Sequence, residues 1–176
     1  MNRETDLALA RRFFRSRAGR TDDLADDVWR VPAAEYTSAG HLAREEQLLF
    51  RARPVVACLT ADLPSPGDYV TFVCAGLPIL VVRGADGAVR AFVNSCRHRG
   101  ARVAADDRGN AGPCLVCPYH SWTYELDGAL RAQPGSVGGF ADLDPATLGL
   151  RPLAVAEGHG LVLVRPGGTE PIDLPG

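Results

Sequence analysis

Two short segments of this chain could hold metal. Asn94-Ser-Cys-Arg-His-Arg-Gly100 and Cys117-Pro-Tyr-His-Ser-Trp122 each offer one thiol and one imidazole. The spacing is Cys-x-His in the first and Cys-x-x-His in the second, with eighteen residues between His98 and Cys117. Thiolates and neutral imidazoles are ligands for zinc and for iron–sulfur clusters alike. Cys96, His98, Cys117 and His120 therefore admit two chemistries, a tetrahedral zinc that organises a fold or a cluster that exchanges electrons. For Cys96 and His98, one residue apart, to reach different edges of one site the backbone must turn sharply, and Gly100 permits that turn.

The other candidate ligands compete weakly. Five cysteines, at 58, 74, 96, 114 and 117, are an odd number without an export signal, so a disulfide framework is not expected. Cys58 and Cys74 sit in apolar runs, where cysteine behaves as a small buried hydrophobe. Cys114 precedes Cys117 by three residues, but Cys117 already serves the larger constellation, which leaves Cys114 incidental. His41 and His159 are 118 positions apart with no ligand-spaced partner, so they read as structural or surface histidines.

Loops that clamp a metal need a rigid frame behind them. From about Arg53 the chain breaks into short apolar runs separated by turn residues: Pro54 to Leu59, Tyr69 to Cys74, Pro78 to Val82 and Val89 to Val93. These predict strands, as do Trp122 to Leu126, Ala129 to Arg131, Leu150 to Val155 and Gly160 to Val164. Asp86-Gly87 and Asp127-Gly128 fall between such runs, and Asp-Gly pairs suit tight hairpins. Each ligand segment is expected to follow a strand, so that two hairpin-end loops face one site. The first fifty residues predict helices, one with Leu7, Ala10 and Phe14 on a face and a later one with Leu42, Leu49 and Phe50. Irregular acidic chain is expected between them. The expected organisation is a helical extension over 1–52, one globular domain over 53–166 and a tail over 167–176.

The two ligand segments resemble those of the Rieske family. From about Glu35 through Val164 the chain is similar to the Rieske domain of ring-hydroxylating oxygenase α subunits. The resemblance includes Pro66-Gly-Asp-Tyr69, the Cys-Arg-His-Arg-Gly loop, and Cys-Pro-Tyr-His followed by Trp122 and Tyr124. It implies a mainly β fold, an antiparallel sandwich with a cluster-binding tip preceded by a short α-helical segment. It implies a [2Fe-2S] cofactor, with Cys96 and Cys117 on the inner iron and His98 and His120 on the outer iron, where electrons leave by the imidazole edges. A reductase or ferredoxin would donate and an oxygenase would accept; a homo-oligomer is compatible, since such oxygenases are often trimers. Their mononuclear iron, held by two histidines and a carboxylate, is expected outside this chain, which reads as an electron-transfer component and not a complete oxygenase.

Two departures from the family pattern stand out: Ser121 occupies a position usually glycine, and Pro54 one usually tryptophan. High-potential Rieske subunits carry a loop disulfide and a serine hydroxyl near the cluster, and here Ala101, Tyr119 and Trp122 stand in those places. Fewer donors predict a low potential, near the bottom of the Rieske range at about -150 mV. The alternative readings are a structural zinc module and a partner-binding module without redox turnover. Trp122 and Tyr124 read as packing residues. Arg97, Arg99 and Arg102 could dock an acidic partner, or be solvated arginines held by Asp106 and Asp107.

The net charge of -2 gives no basic field for nucleic acid, and no apolar run is long enough to span a membrane. Arg11-Arg12 is followed by the polar stretch Ser16 to Asp27 and not by an apolar segment, so a twin-arginine leader is not expected. The cytoplasm is the expected location.

Overall fold

Leu77-Pro-Ile-Leu-Val-Val82 has no polar alternation, so as a strand it must be covered on both faces. The computed structural model describes residues 3–19, 27–135 and 143–174. Its strands are β1 (Val55–Leu59), β2 (Asp68–Cys74), β3 (Leu77–Arg83), β4 (Val89–Val93), β5 (Arg108–Asn110), β6 (Cys114–Val116), β7 (Thr123–Glu125), β8 (Leu130–Ala132), β9 (Pro152–Gly158) and β10 (Leu161–Arg165). Seven of them form an antiparallel sheet in the order β1-β10-β9-β4-β3-β2-β5, and β6-β7-β8 form a second, smaller one.

The side chains of β3 divide by parity, as the two-residue strand period requires. Ile79 and Val81 enter one core with Cys58, Leu63, Val70, Ala91, Val162 and Val164. The larger sheet curls around this core, bringing β1 near β2. Leu80 and Val82 enter the other core, with Phe92, Leu115, Trp122, Tyr124 and Leu126, where the large sheet meets the small one. Cys96 and Cys117 belong to this second core. The ligand-bearing segments are thus rooted in packed apolar structure.

The two Asp-Gly turns form as expected, with Gly87 at φ 81° and Gly128 at φ 90°. Asp86 and Asp127 each accept the backbone N–H two residues on, from Ala88 at 3.1 Å and Ala129 at 2.9 Å. A Cβ at Gly128 would collide with the Phe92 ring, so packing as well as φ requires glycine there.

Strands lie close to the expected runs, with Leu150 to Val155 displaced to Pro152–Gly158. Not anticipated was β5, three residues long, whereas β6 is the strand expected ahead of the second ligand segment. Only the second ligand segment, between β6 and β7, closes a hairpin. The first leaves β4, whose neighbours are β3 and β9, and leads on to β5 at the far edge of the sheet.

The chain divides into two units, residues 1–38 and 39–176. The first contains α1 (Arg3–Gly19), which carries Leu7, Ala10 and Phe14, and α2 (Ala34–Thr37), a short helix in the stretch expected to be irregular. Within Ser16 to Asp27, residues 20–26 lie outside the described residues. The second unit begins with α3 (Ala39–Glu45), which widens into a π-turn over Glu46–Arg51. Leu49 and Phe50 therefore leave the 3.6-residue stripe begun by Leu42, and all three are exposed. Among the described residues no helix is long and apolar enough to cross a membrane.

Candidate metal centre

Asn94, at the end of β4, is buried and ties down the base of the first loop. Its carbonyl oxygen accepts from Val103 N–H at 2.9 Å and Ala104 N–H at 3.1 Å, and its amide donates to the Ala104 carbonyl at 2.7 Å. Between those anchors, Cys96 N–H donates to the Ala101 carbonyl and Gly100 N–H donates back to the Cys96 carbonyl, at 2.8 and 2.9 Å. The second loop repeats this frame. Cys117 N–H donates to the Trp122 carbonyl and Ser121 N–H to the Cys117 carbonyl, at 2.8 and 3.0 Å. Gly100 and Ser121 hold equivalent places and both are left-handed, at φ 75° and 57°. Within one shared frame the histidine stands two residues after cysteine in the first loop and three after it in the second.

The frames bring all four expected residues to one place. Cys96 and Cys117 are buried as unbridged thiols that interact with each other. The half-buried rings of His98 and His120 lie 4.7 Å apart and 71° from parallel. A thiol pair inside and an imidazole pair nearer solvent are thus separated by depth. His120 Nδ1 is buried with no hydrogen-bond partner. Such an orphaned nitrogen costs free energy unless something binds it, which is what a metal-ligand position presents.

Aromatic residues fix the arrangement. The Trp122 indole, 1% exposed, stacks on His98 with centroids 5.0 Å apart and planes 6° from parallel. Tyr119 covers His120 at 3.8 Å with its own ring largely exposed. The Tyr124 hydroxyl accepts Arg97 N–H at 3.0 Å and sits 3.2 Å from Cys96 Sγ. Having accepted one hydrogen, it has the sulfur as the recipient for its own. Tyr124 was expected only to pack; the signal of this second role is its place seven residues after Cys117, on a strand returning from the second loop.

Electrostatics suit a ligand set. Burial, then the hydrogen bond with Cys96, pushes the Tyr124 phenol far above its ordinary range, so it remains a donor. Burial also pushes the Cys96 thiol up, opposed by Tyr124 and by the His98 backbone N–H. Burial, then His120 and Arg99, lowers the His98 pKa and favours the neutral imidazole that a metal requires. Cys58, away from this centre, is pushed up to about 11 by burial, then by Asp62 and Glu157, as an inert core cysteine would be. Cys74 and Cys114 are half-buried free thiols. His41 lies on α3 and His159 in the β9–β10 turn, outside both loops.

A zinc ion would gather four donors about one point. Among the described residues no three histidine, cysteine, aspartate or glutamate side chains do so. The donors stand as two pairs, which is the requirement of a two-iron cluster. Agreeing with this, the sequence profile of the Rieske [2Fe-2S] domain matches residues 53–144. The chain belongs to the Rieske [2Fe-2S] family. The [2Fe-2S] cluster is this family's cofactor, and the donor set fits it.

This Rieske chain is 37% identical over 139 residues to the glycine betaine monooxygenase oxygenase subunit of Pseudomonas aeruginosa, covering 79% of itself and 32% of that protein. It is 39% identical over 144 residues to the anthranilate 1,2-dioxygenase large subunit of Burkholderia cepacia, covering 78% of itself and 34% of that protein. Among solved structures it matches a quaternary ammonium Rieske monooxygenase described in terms of carnitine oxidation by gut microbiota and inter-subunit electron transfer, at TM-score 0.76 and 30% identity, over 84% of this chain and 40% of that one. Naphthalene 1,2-dioxygenase from Rhodococcus sp. matches at TM-score 0.73 and 30% identity, over 83% of this chain and 33% of that one. The chain thus spans about a third of the length of the curated relatives it matches. The Rieske fold, mainly antiparallel β with a curled sheet, is the expected one.

Proposed function

We propose that this domain passes single electrons from a protein donor to the mononuclear iron of an oxygenase, with Cys96 and Cys117 holding one iron of the cluster and His98 and His120 the other. When bound, the cluster supplies reversible one-electron exchange, at about -150 to +300 mV for mixed cysteine and histidine ligation. The observation that carries the assignment is the depth-sorted pair of pairs, with His120 Nδ1 left unpartnered. The half-buried imidazoles are the ligands a partner can approach, while the cysteines are shielded by Trp122, Tyr124 and Leu115. Tyr124 holds its proton at the phenolic oxygen, directed at Cys96 Sγ.

The acceptor is an oxygenase of the ring-hydroxylating type. The names of the relatives span quaternary ammonium and aromatic substrates, and the residues that choose between them belong to that catalytic site. Residues 53–166 form the Rieske domain in this reading, with 1–52 a helical extension and 167–176 a tail. A homo-oligomer in which the electron crosses between subunits agrees with the inter-subunit transfer named for the carnitine-oxidising relative.

The test is metal and sulfide analysis with low-temperature EPR of purified protein, oxidised and dithionite-reduced. Iron and sulfide in equal amounts, with a rhombic reduced signal of low average g, are expected. His98→Cys should lower the potential or abolish the signal, whereas His159→Ala should leave it unchanged. A colourless protein holding stoichiometric zinc after anaerobic preparation would overturn the reading.

A further inference from the structure

Helix α1 has no buried residue, and its Leu7 and Phe14 side chains are 46% and 66% exposed. A helix in water draws most of its stability from packing an apolar face, so this face calls for a cover. Successive helical residues turn by about 100°, which sets Leu7, Ala10 and Phe14 on one side of α1. Charge is sorted along the same helix. Glu4 and Asp6 occupy the first turn, and beyond them its charged residues are all basic: Arg11, Arg12, Arg15 and Arg17. The same rotation sorts charge around the axis. Glu4, Arg11 and Arg15 line one flank of the apolar face, while Asp6 and Arg17 line the other.

We infer that a second copy of this chain covers the face: two α1 helices pair antiparallel about a two-fold axis passing between Ala10 and Arg11. In such an isologous contact, where i meets j, j also meets i. Leu7 opposite Phe14 of the second copy therefore makes two apolar contacts at once, and the small Ala10 lets the helices approach at the axis. An antiparallel two-fold brings like flanks together. In this register Glu4 lies within a turn of Arg15 of the second copy, and Asp6 within a turn of Arg17, each pair occurring twice. A parallel pairing would instead set carboxylates against carboxylates and guanidinium groups against guanidinium groups, and is disfavoured. Arg11 meets its own equivalent across the axis, a like-charge contact that keeps the pair weak. The sorting along α1 also suits the dipole of a single helix, so the test must separate the two effects. The pairing involves neither ligand loop and stands apart from the cluster assignment.

Sedimentation equilibrium of the full chain over about 1 µM to 1 mM measures the association. A reversible monomer–dimer equilibrium at low ionic strength is expected. L7A/F14A should weaken it at least about tenfold, because each substitution removes a contact from both copies. L9A alters a side chain of similar exposure, 50%, on the opposite side of the helix and should leave the equilibrium unchanged. E4R/D6R and R15E/R17E should each weaken self-association at least about tenfold. An equimolar mixture of those two variants restores every opposite-charge pair and should form a heterodimer with close to the parent affinity. A helix-dipole effect predicts no such rescue, since each variant carries the wrong charges at one end of its own helix. R11Q should tighten the pair. A parent that stays monomeric, an association indifferent to L7A/F14A, or a mixture that fails to associate would overturn the pairing. Binding of a monomeric parent to anionic phospholipid vesicles would overturn it too, and assign the face to a membrane surface.

Discussion

Trp122 and His98 come from different loops, yet their rings lie parallel within 6° at a centroid separation of 5.0 Å. The indole is buried and belongs to the core shared by the two sheets. It therefore connects the orientation of one imidazole to the packing of the domain, and the opposite constraint comes from His120 at 71°. Trp122→Ala should cost about 3–5 kcal/mol by cavity formation and lower cluster occupancy. Trp122→Phe keeps an aromatic face and should recover most of both. Denaturant midpoints report the packing. The EPR g-values of whatever cluster remains report the imidazole: a shift in the alanine variant that phenylalanine reverses is expected, and unchanged g-values would mean that Trp122 only fills space.

The Tyr124 hydroxyl should raise the potential. It lies 3.2 Å from Cys96 Sγ, and if Cys96 binds the cluster as a thiolate, which has no hydrogen to give, the hydroxyl is the donor and favours the reduced, more negative state. Tyr124→Phe removes that donor and should lower the potential. A differential worth about 1 kcal/mol corresponds to roughly 40 mV for one electron. Redox titration monitored by EPR measures it. The expectation of a low potential rests on Ala101, Tyr119 and Trp122 in the places of the loop disulfide and serine, and Tyr124 is a donor in addition to what that argument counted.

Ser121 occupies the left-handed place that glycine holds in the other loop, at φ 57°. An L-residue there costs about 1–2 kcal/mol, and the side chain is exposed. Against this, glycine adds freedom to the unfolded chain, worth about 0.4–1 kcal/mol. Ser121→Gly should therefore stabilise the protein by about 0.5–1 kcal/mol, raising Tm by roughly 1–4 °C, with no change in spectrum. The Thr123 hydroxyl bond in this loop goes to the Ser121 backbone carbonyl and survives the substitution. A lower Tm would show that the serine side chain contributes something its exposure does not reveal.

The four residues proposed as ligands stood out as candidates because metal-binding side chains at fixed short spacings leave few alternatives, and the fold brings them together. The main strands were legible from apolar runs and Asp-Gly turns. Less visible was β5, since Arg108, Gly109 and Asn110 carry no strand pattern and pair only because β2 offers an edge. The expected face of Leu42, Leu49 and Phe50 failed where the helix widens to a π-turn, tied by Arg51 to the Ala75 and Gly167 backbones at 2.7 and 2.8 Å. Tertiary hydrogen bonds of that kind leave no periodic trace. The roles of Asn94 and Tyr124 were hidden for the same reason: their partners lie nine, ten, twenty-seven and twenty-eight residues away.

Arg83 and Glu157 form a bidentate pair at 2.7 and 2.8 Å between β3 and β9, strands separated in the sheet by β4. Arg83 is buried, and two of its other donors go to the Leu63 carbonyl at 2.9 Å and the Gly87 carbonyl at 2.9 Å. Removing the carboxylate leaves a buried guanidinium short of a partner. Glu157→Gln should cost about 1.5–3 kcal/mol at pH 7, the lower end favoured because the Glu157 side chain is 27% exposed. The hydrogen bond from Arg83 holds the Glu157 carboxyl below its ordinary range. A depressed folded-state pKa contributes stability that is complete above the unfolded value, about 4.3, and is lost as pH falls through the lower folded value. The urea midpoints of parent and variant should therefore differ by a constant amount from pH 8 to pH 5, then converge in stronger acid as the parent loses its advantage. A gap that persists unchanged to the acid limit would assign the effect of Glu157→Gln to packing and not to the ion pair.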